Sequence, residues 1–125
     1  KSAEQLATAI RQLVELDASY GAARQYYVFV PIKTPLYPED YAKIDEVNRL
    51  LEQWSQAQPQ VSVLDPNPLL TVRNGSPNPD FFRLDGVNLN EQGYLRLSLL
   101  LKNSLQAAGA GAYASHKEPG TPASG

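Results

Sequence analysis

Tyr26-Tyr27-Val28-Phe29-Val30-Pro31-Ile32 is a short, nearly continuous apolar run rich in β-forming residues. Such a run suits a parallel strand covered on both faces, not a surface strand that alternates apolar with polar. Val61-Ser62-Val63-Leu64 reads as a second short strand. Between the two, Pro38-Glu39-Asp40 opens a helix, with proline early and acids in the first turn. Tyr41, Ile44, Val47, Leu51 and Trp54 then fall on one apolar stripe, which carries that helix to about Gln56. A helix between two strands supplies the crossover that parallel pairing needs, so the strands are predicted to be parallel neighbours in one sheet.

The flanks extend this pattern. Ser2-Ala3-Glu4-Gln5 fits a capping box, a hydroxyl residue with Gln three positions on. Leu6, Ile10, Leu13 and Val14 follow at helical spacing, which predicts a helix from residue 2 to about 18. Residues 65–89 read as a long irregular stretch, with Asn74-Gly75, Pro77 and Pro79 as turn formers. Asn90 is placed to cap a last helix, with Glu91 in its first turn. Tyr94, Leu97, Leu99, Leu100, Leu101 and Leu105 make that helix apolar on more than one side, so substantial burial is expected. Tyr41, Trp54 and Tyr94 are expected in the core. Residues 107–125 are dominated by Ala, Gly, Ser and Pro and read as a tail, not a folded element.

The order helix, strand, helix, strand, loop, helix defines α/β architecture with parallel strands in residues 1–106. Two apolar parallel strands need neighbours at their edges and helices on both faces. The rest of the sheet is therefore expected from another segment of protein, another chain or a dimer mate. Lys1 in first position, in place of Met, is read as a processed product or an excised piece of a longer protein.

Composition excludes several function classes. The net charge of the 125 residues is −2, so nothing steers the chain towards nucleic acid. No apolar run is long enough for a transmembrane segment. Cysteine is absent and His116 is the single histidine, so a Cys/His metal site is excluded and no cofactor is implied. His116 falls in the tail and reads as solvated.

Asp85-Gly86-Val87-Asn88-Leu89-Asn90-Glu91-Gln92-Gly93-Tyr94 is the stretch that bears on chemistry. On the residues alone, Asp85-Gly86 is also a turn and Asn90 also a helix cap. The stretch resembles the last sequence block of the SGNH/GDSL hydrolases, roughly Asp-Gly-x-His-Leu-Asn-x-x-Gly-Tyr. In that block the Asp and His stand three positions apart in a loop before the final helix, and the carboxylate holds the imidazole that faces the nucleophilic serine. The resemblance extends over about residues 2–106. Val61 to Leu70 is similar to the family's last strand and its Asp-x-x-Pro exit. Asn78-Pro79-Asp80-Phe81-Phe82 is similar to the segment before the catalytic loop, and Val47-Asn48-Arg49-Leu50-Leu51 to the crossover helix. The nearest flavour is the platelet-activating-factor acetylhydrolase-like branch. The resemblance implies a partial three-layer α/β/α, flavodoxin-like domain, with Asp85 and Asn88 at the positions of the catalytic Asp and His.

Two departures count against catalysis by this chain. Asn88 stands where the family has histidine, and an amide does not titrate near neutral pH and cannot act as a general base. The family's Gly-Asp-Ser nucleophile and oxyanion donors are not among these residues. The leading expectation is a non-catalytic, SGNH-derived accessory or scaffold module. The alternative is the C-terminal part of a serine ester hydrolase whose nucleophile lies elsewhere. A third reading is a carbohydrate- or lipid-binding module that keeps a vestigial acyl-ester pocket without turnover. Lys33 stands at the C-terminal end of a parallel strand, where ligands approach such sheets, though a solvated lysine is the default.

Overall fold

A computed structural model of the chain describes residues 1–21 and 24–116. Helix α1 is Ala3–Ala18, strand β1 Tyr26–Phe29, helix α2 Tyr41–Ser55 and strand β2 Val61–Leu64. A single helical turn, α3, covers Asn67–Leu70, and helix α4 runs Glu91–His116. Three-residue 3-10 turns at Pro38–Asp40 and Pro79–Phe81 lead into α2 and the last loop.

The capping box forms as its residues dictate. Ser2 Oγ accepts from Gln5 N at 3.1 Å, and Gln5 Oε1 accepts from Ser2 N at 2.9 Å. β1 and β2 pair in parallel, with Tyr26 opposite Val61 and Phe29 opposite Leu64. The pairing continues one step past the strand, where Val30 N donates to Leu64 O at 2.9 Å. The chain is thus a mixed helix-and-strand protein of α/β character around two parallel strands.

Alternation along the strands sorts the core. Val28 and Val61, with Tyr26 and Val63 beside them, face one side. There they meet Ala3 and Ala7 of α1 and Val47 and Leu51 of α2, the last two wholly buried. The small alanines let α1 approach closely, and the stripe predicted for α2 supplies the larger side chains. Tyr27, Phe29, Ser62 and Leu64 point to the opposite face. A second cluster of Leu70, Phe82 and Leu89, packed with Ile32, Phe81 and Leu97, joins α3, the loop and α4.

The last helix departs from its expected burial. Tyr94 and Leu95 are each 55% exposed, and Leu99 and Leu105 are 45% and 49% exposed. Among the α4 residues whose side chains are described, only a narrow stripe of Gly93, Leu97, Leu100, Leu101 and Ser104 is turned inward. The reason is geometric: α4 packs chiefly on the short Pro79–Phe81 turn and on α3. Two such short elements cannot cover a helix that is apolar on several sides. Tyr94 is therefore a surface residue, while Trp54 packs against the first core cluster as expected.

The helix also continues to His116, into the stretch whose composition suggests a tail. Alanine has the highest helix propensity, and the Ala-rich run extends the helix despite its glycines. Residues 117–125, and the side chain of His116, lie outside the described residues. Among the described residues, no helix is long and apolar enough to cross a membrane.

The 65–89 stretch is irregular but ordered by local bonds. Thr71 bridges Pro77 and Phe82 bridges Leu89, both antiparallel. Asn78 N donates to Leu70 O at 2.8 Å.

Candidate functional site

The Asp85 block folds as a closed loop delivered into the start of α4. Its base is the Phe82–Leu89 bridge, reinforced by Arg83 N donating to Asn88 O at 2.8 Å. At its tip, Gly86 N donates to Arg83 O at 3.0 Å. Gly86 has φ of 69°, in the left-handed region that a residue with a side chain enters at a cost. That conformation presents the Gly86 carbonyl to Leu36 N at 3.1 Å, docking the loop on the segment after β1.

Inside the loop, Asp85 and Asn88 are in direct contact. Asp85 Oδ2 accepts from Asn88 Nδ2 at 2.7 Å. Asp85 Oδ1 accepts from the backbone N–H groups of Asn88 at 3.0 Å and Val87 at 2.9 Å. These donors favour the charged form, the Asn88 backbone N–H most, and hold the Asp85 carboxyl below the usual carboxylate range. Both residues are solvent-exposed. Asp85 thus accepts three hydrogen bonds from its own loop, and the Asn88 amide that meets it does not titrate near neutral pH.

Asn90 follows as a double clamp. Its Oδ1 accepts from Gly93 N at 3.0 Å, capping α4, and its Nδ2 donates to Asp80 O at 2.8 Å. Leu89 is buried in the second cluster. The residues Asp85, Gly86, Asn88, Leu89, Asn90 and Gly93 each thereby hold a place in one compact unit.

A polar cluster at the C-terminal ends of the strands escapes the sequence reading. Asn67 is the buried polar residue there, 5% exposed. Its Oδ1 accepts from Lys33 N at 2.8 Å, and its Nδ2 donates to Pro31 O at 3.0 Å. Asp65 Oδ1 accepts from Asn67 N at 3.0 Å and from Asn67 Nδ2 at 2.8 Å. Asp65 Oδ2 accepts from Asn48 Nδ2 at 3.3 Å, which ties in α2. The signal available in the sequence was Asp65-Pro66-Asn67-Pro68 directly after a strand. Prolines remove backbone donors, and Asx side chains take over such turns.

Lys33 is not simply solvated. Its Nζ lies 2.7 Å from Asp45 Oδ1 on α2, and its side chain is 14% exposed. Tyr41 Oη donates to Thr34 O at 2.7 Å. These contacts pin the segment whose Leu36 receives the Gly86 carbonyl. Leu36, Tyr37, Leu84 and Val87 leave exposed apolar side chains around that junction. A groove of about 460 Å³ runs between α1 and α2, lined by Glu4, Arg11, Gln53 and Trp54 among others, and neither Asp85 nor Asn88 lines it. Among the described residues, no group of three or more acids or histidines could hold a metal ion.

Comparisons with protein families, with curated proteins and with solved structures find no match to this chain.

Proposed function

We propose that residues 1–106 form the C-terminal part of an SGNH/GDSL-type domain that has lost catalysis and serves as an accessory or scaffold module of a larger assembly. In this reading the two parallel strands are part of a three-layer, flavodoxin-like α/β/α sheet completed by another segment or chain. The observation that carries it is the Asp85–Asn88 contact. The position that would carry the imidazole holds an amide, engaged with the carboxylate that would orient that imidazole. Such a pair keeps the loop's shape and removes its proton chemistry. The exposed apolar side of α4 is consistent with a surface that belongs against more protein.

The test is hydrolysis of a short-chain nitrophenyl ester, by this chain and by the longest native polypeptide that contains it. No turnover above buffer is expected from either. The decisive variant is Asn88→His in the longer polypeptide. Activity appearing only in that variant supports a module that lost its base and nothing else. Turnover by the unsubstituted polypeptide would instead establish the alternative, a working ester hydrolase with a different base.

A further inference from the structure

We propose that Asn74 is the chain's site of spontaneous covalent modification, converting through a cyclic imide to aspartate and isoaspartate. The chain has seven asparagines, and Asn74 alone is followed by glycine. The other six precede Arg49, Pro68, Pro79, Leu89, Glu91 and Ser104. Proline has no N–H to act as the nucleophile, and the remaining neighbours shield their amide nitrogen with a side chain.

The structure puts Asn74-Gly75 at the exposed tip of the hairpin between Thr71 and Pro77. Gly75 has φ of 88°, and a Cβ placed on it would meet nothing within 4 Å, so no neighbouring side chain crowds this side of the turn. Asn74 Oδ1 accepts from Ser76 N at 2.9 Å. That bond folds the carboxamide back over the Gly75 peptide and draws electron density from Asn74 Cγ, the atom to be attacked. The Gly75 N–H in turn donates to Val72 O at 2.9 Å, so the turn must open before this nitrogen is free. Opening of an exposed loop tip is the least costly local unfolding in a domain.

The step balances with water as the sole co-reactant. Gly75 N, having given up its proton, forms a bond to Asn74 Cγ. The Cγ–Nδ2 bond breaks, and the amide nitrogen leaves as ammonia with that proton. Water then opens the imide at either carbonyl. Attack at Cγ gives aspartate, and attack at the former Asn74 main-chain carbonyl gives isoaspartate. Either product adds one negative charge beside Arg73. Aspartate keeps the oxygen that accepts from Ser76 N. Isoaspartate inserts a methylene into the main chain, so the paired bonds Val72 N to Ser76 O and Gly75 N to Val72 O cannot both be kept.

The experiment is peptide mapping by mass spectrometry of the intact native chain held in mildly alkaline buffer at physiological temperature, beside the same chain unfolded in urea. The peptide bearing Asn74 is expected to gain the amide-to-acid mass increment first, ahead of every other asparagine. Asn74→Gln, which would need a larger ring, is expected to lose that gain while folding normally. Conversion at another asparagine first would overturn the proposal. So would an Asn74 amide that stays intact in the native chain for as long as the unfolded chain takes to convert completely there.

Discussion

Gly93 and Phe81 meet so closely that a side chain at position 93 would overlap the Phe81 carbonyl oxygen. The first turn of α4 rests directly on the backbone of the 3-10 turn that precedes the Asp85 loop. Leu89 closes the same gap from the other side, with its Cδ2 2.8 Å from where a Cβ would stand. Asn90 adds hydrogen bonds from the helix cap to the carbonyls of Asp80 and Phe82, at 2.8 and 3.3 Å. The helix start, the turn and the loop are therefore one rigid joint.

Gly93→Ala tests that joint, because two effects oppose each other. Alanine in a helix interior is favoured over glycine by about 1 kcal/mol. Overpacking against a fixed backbone costs about 1–3 kcal/mol. The obstacle is a carbonyl and not a flexible side-chain end, so the clash prevails and a net loss of stability is expected. Thermal unfolding reads the sign directly, and a raised Tm would mean that α4 does not sit on the Phe81 backbone.

Asn67→Ala tests the clamp between the strand ends. It leaves Lys33 N–H and Pro31 C=O without their side-chain partner in a buried site, at about 1–3 kcal/mol for each group left unsatisfied. Urea unfolding should show a lower midpoint with an unchanged slope. Asn67→Asp keeps the acceptor for Lys33 but sets a second carboxylate beside Asp65, so it too is expected to destabilise at neutral pH and to recover part of the loss in acid. An unchanged midpoint for Asn67→Ala would mean that the clamp adds nothing to the stability of the fold.

What the sequence disclosed and what it withheld follow from range. The Ser2–Gln5 cap, the α2 stripe and the parallel pairing rest on local spacing or on one crossover, and all could be read in advance. The Asn67 bonds join residues 34 and 36 positions apart, and no local pattern announces them. For Tyr94 and its neighbours apolar spacing overstates burial, because it tells which side chains could be buried, not how much surface stands opposite. Asp85 and Asn88 stand out as a pair only through the resemblance of their block, and three positions suit a hydrogen-bonded turn as well as a catalytic loop. Only the geometry displays the carboxylate turned inward on its own backbone. The docking of Gly86 on Leu36 had no sequence signal beyond the glycine itself.

The loop should also carry a pH signature. The folded-state carboxyl of Asp85 titrates below its ordinary value of about 3.9. A depressed carboxyl contributes stability that is fully present above the ordinary value and is lost as pH falls through the folded one. Amide resonances of Val87 and Asn88 are expected to hold steady from neutral pH down to that ordinary range and to shift together below it. Asp85→Asn, which keeps an acceptor oxygen without the charge, should abolish the shift. A carboxyl titrating at or above its ordinary value would show that the loop does not hold Asp85 as described.

The exposed side of α4 leads to a prediction about association. Leu95 and Leu99 lie four positions apart and so share a helix face, and Leu105 and Tyr94 widen the exposed apolar area around it. On α1, Leu13 and Leu16 are 69% and 57% exposed. Burial of apolar surface is worth about 25 cal/mol per Å², and a stable protein interface covers roughly 1,000 Å² or more in total. β1 and β2 each have one hydrogen-bonded strand neighbour among the described residues, so each offers a free edge for strand addition. The isolated chain is therefore expected to self-associate at micromolar concentration in light scattering. Leu95→Glu with Leu99→Glu places two charges on the helical patch and leaves the strand edges untouched. A large fall in scattering mass for this double variant, with helix content unchanged by circular dichroism, assigns the association to α4. Unaltered association assigns it to the strand edges or to the exposed leucines of α1. A monodisperse, cooperatively unfolding monomer of the unsubstituted chain would overturn the expectation, because an apolar helix face and two free edges would then be tolerated in water without a partner.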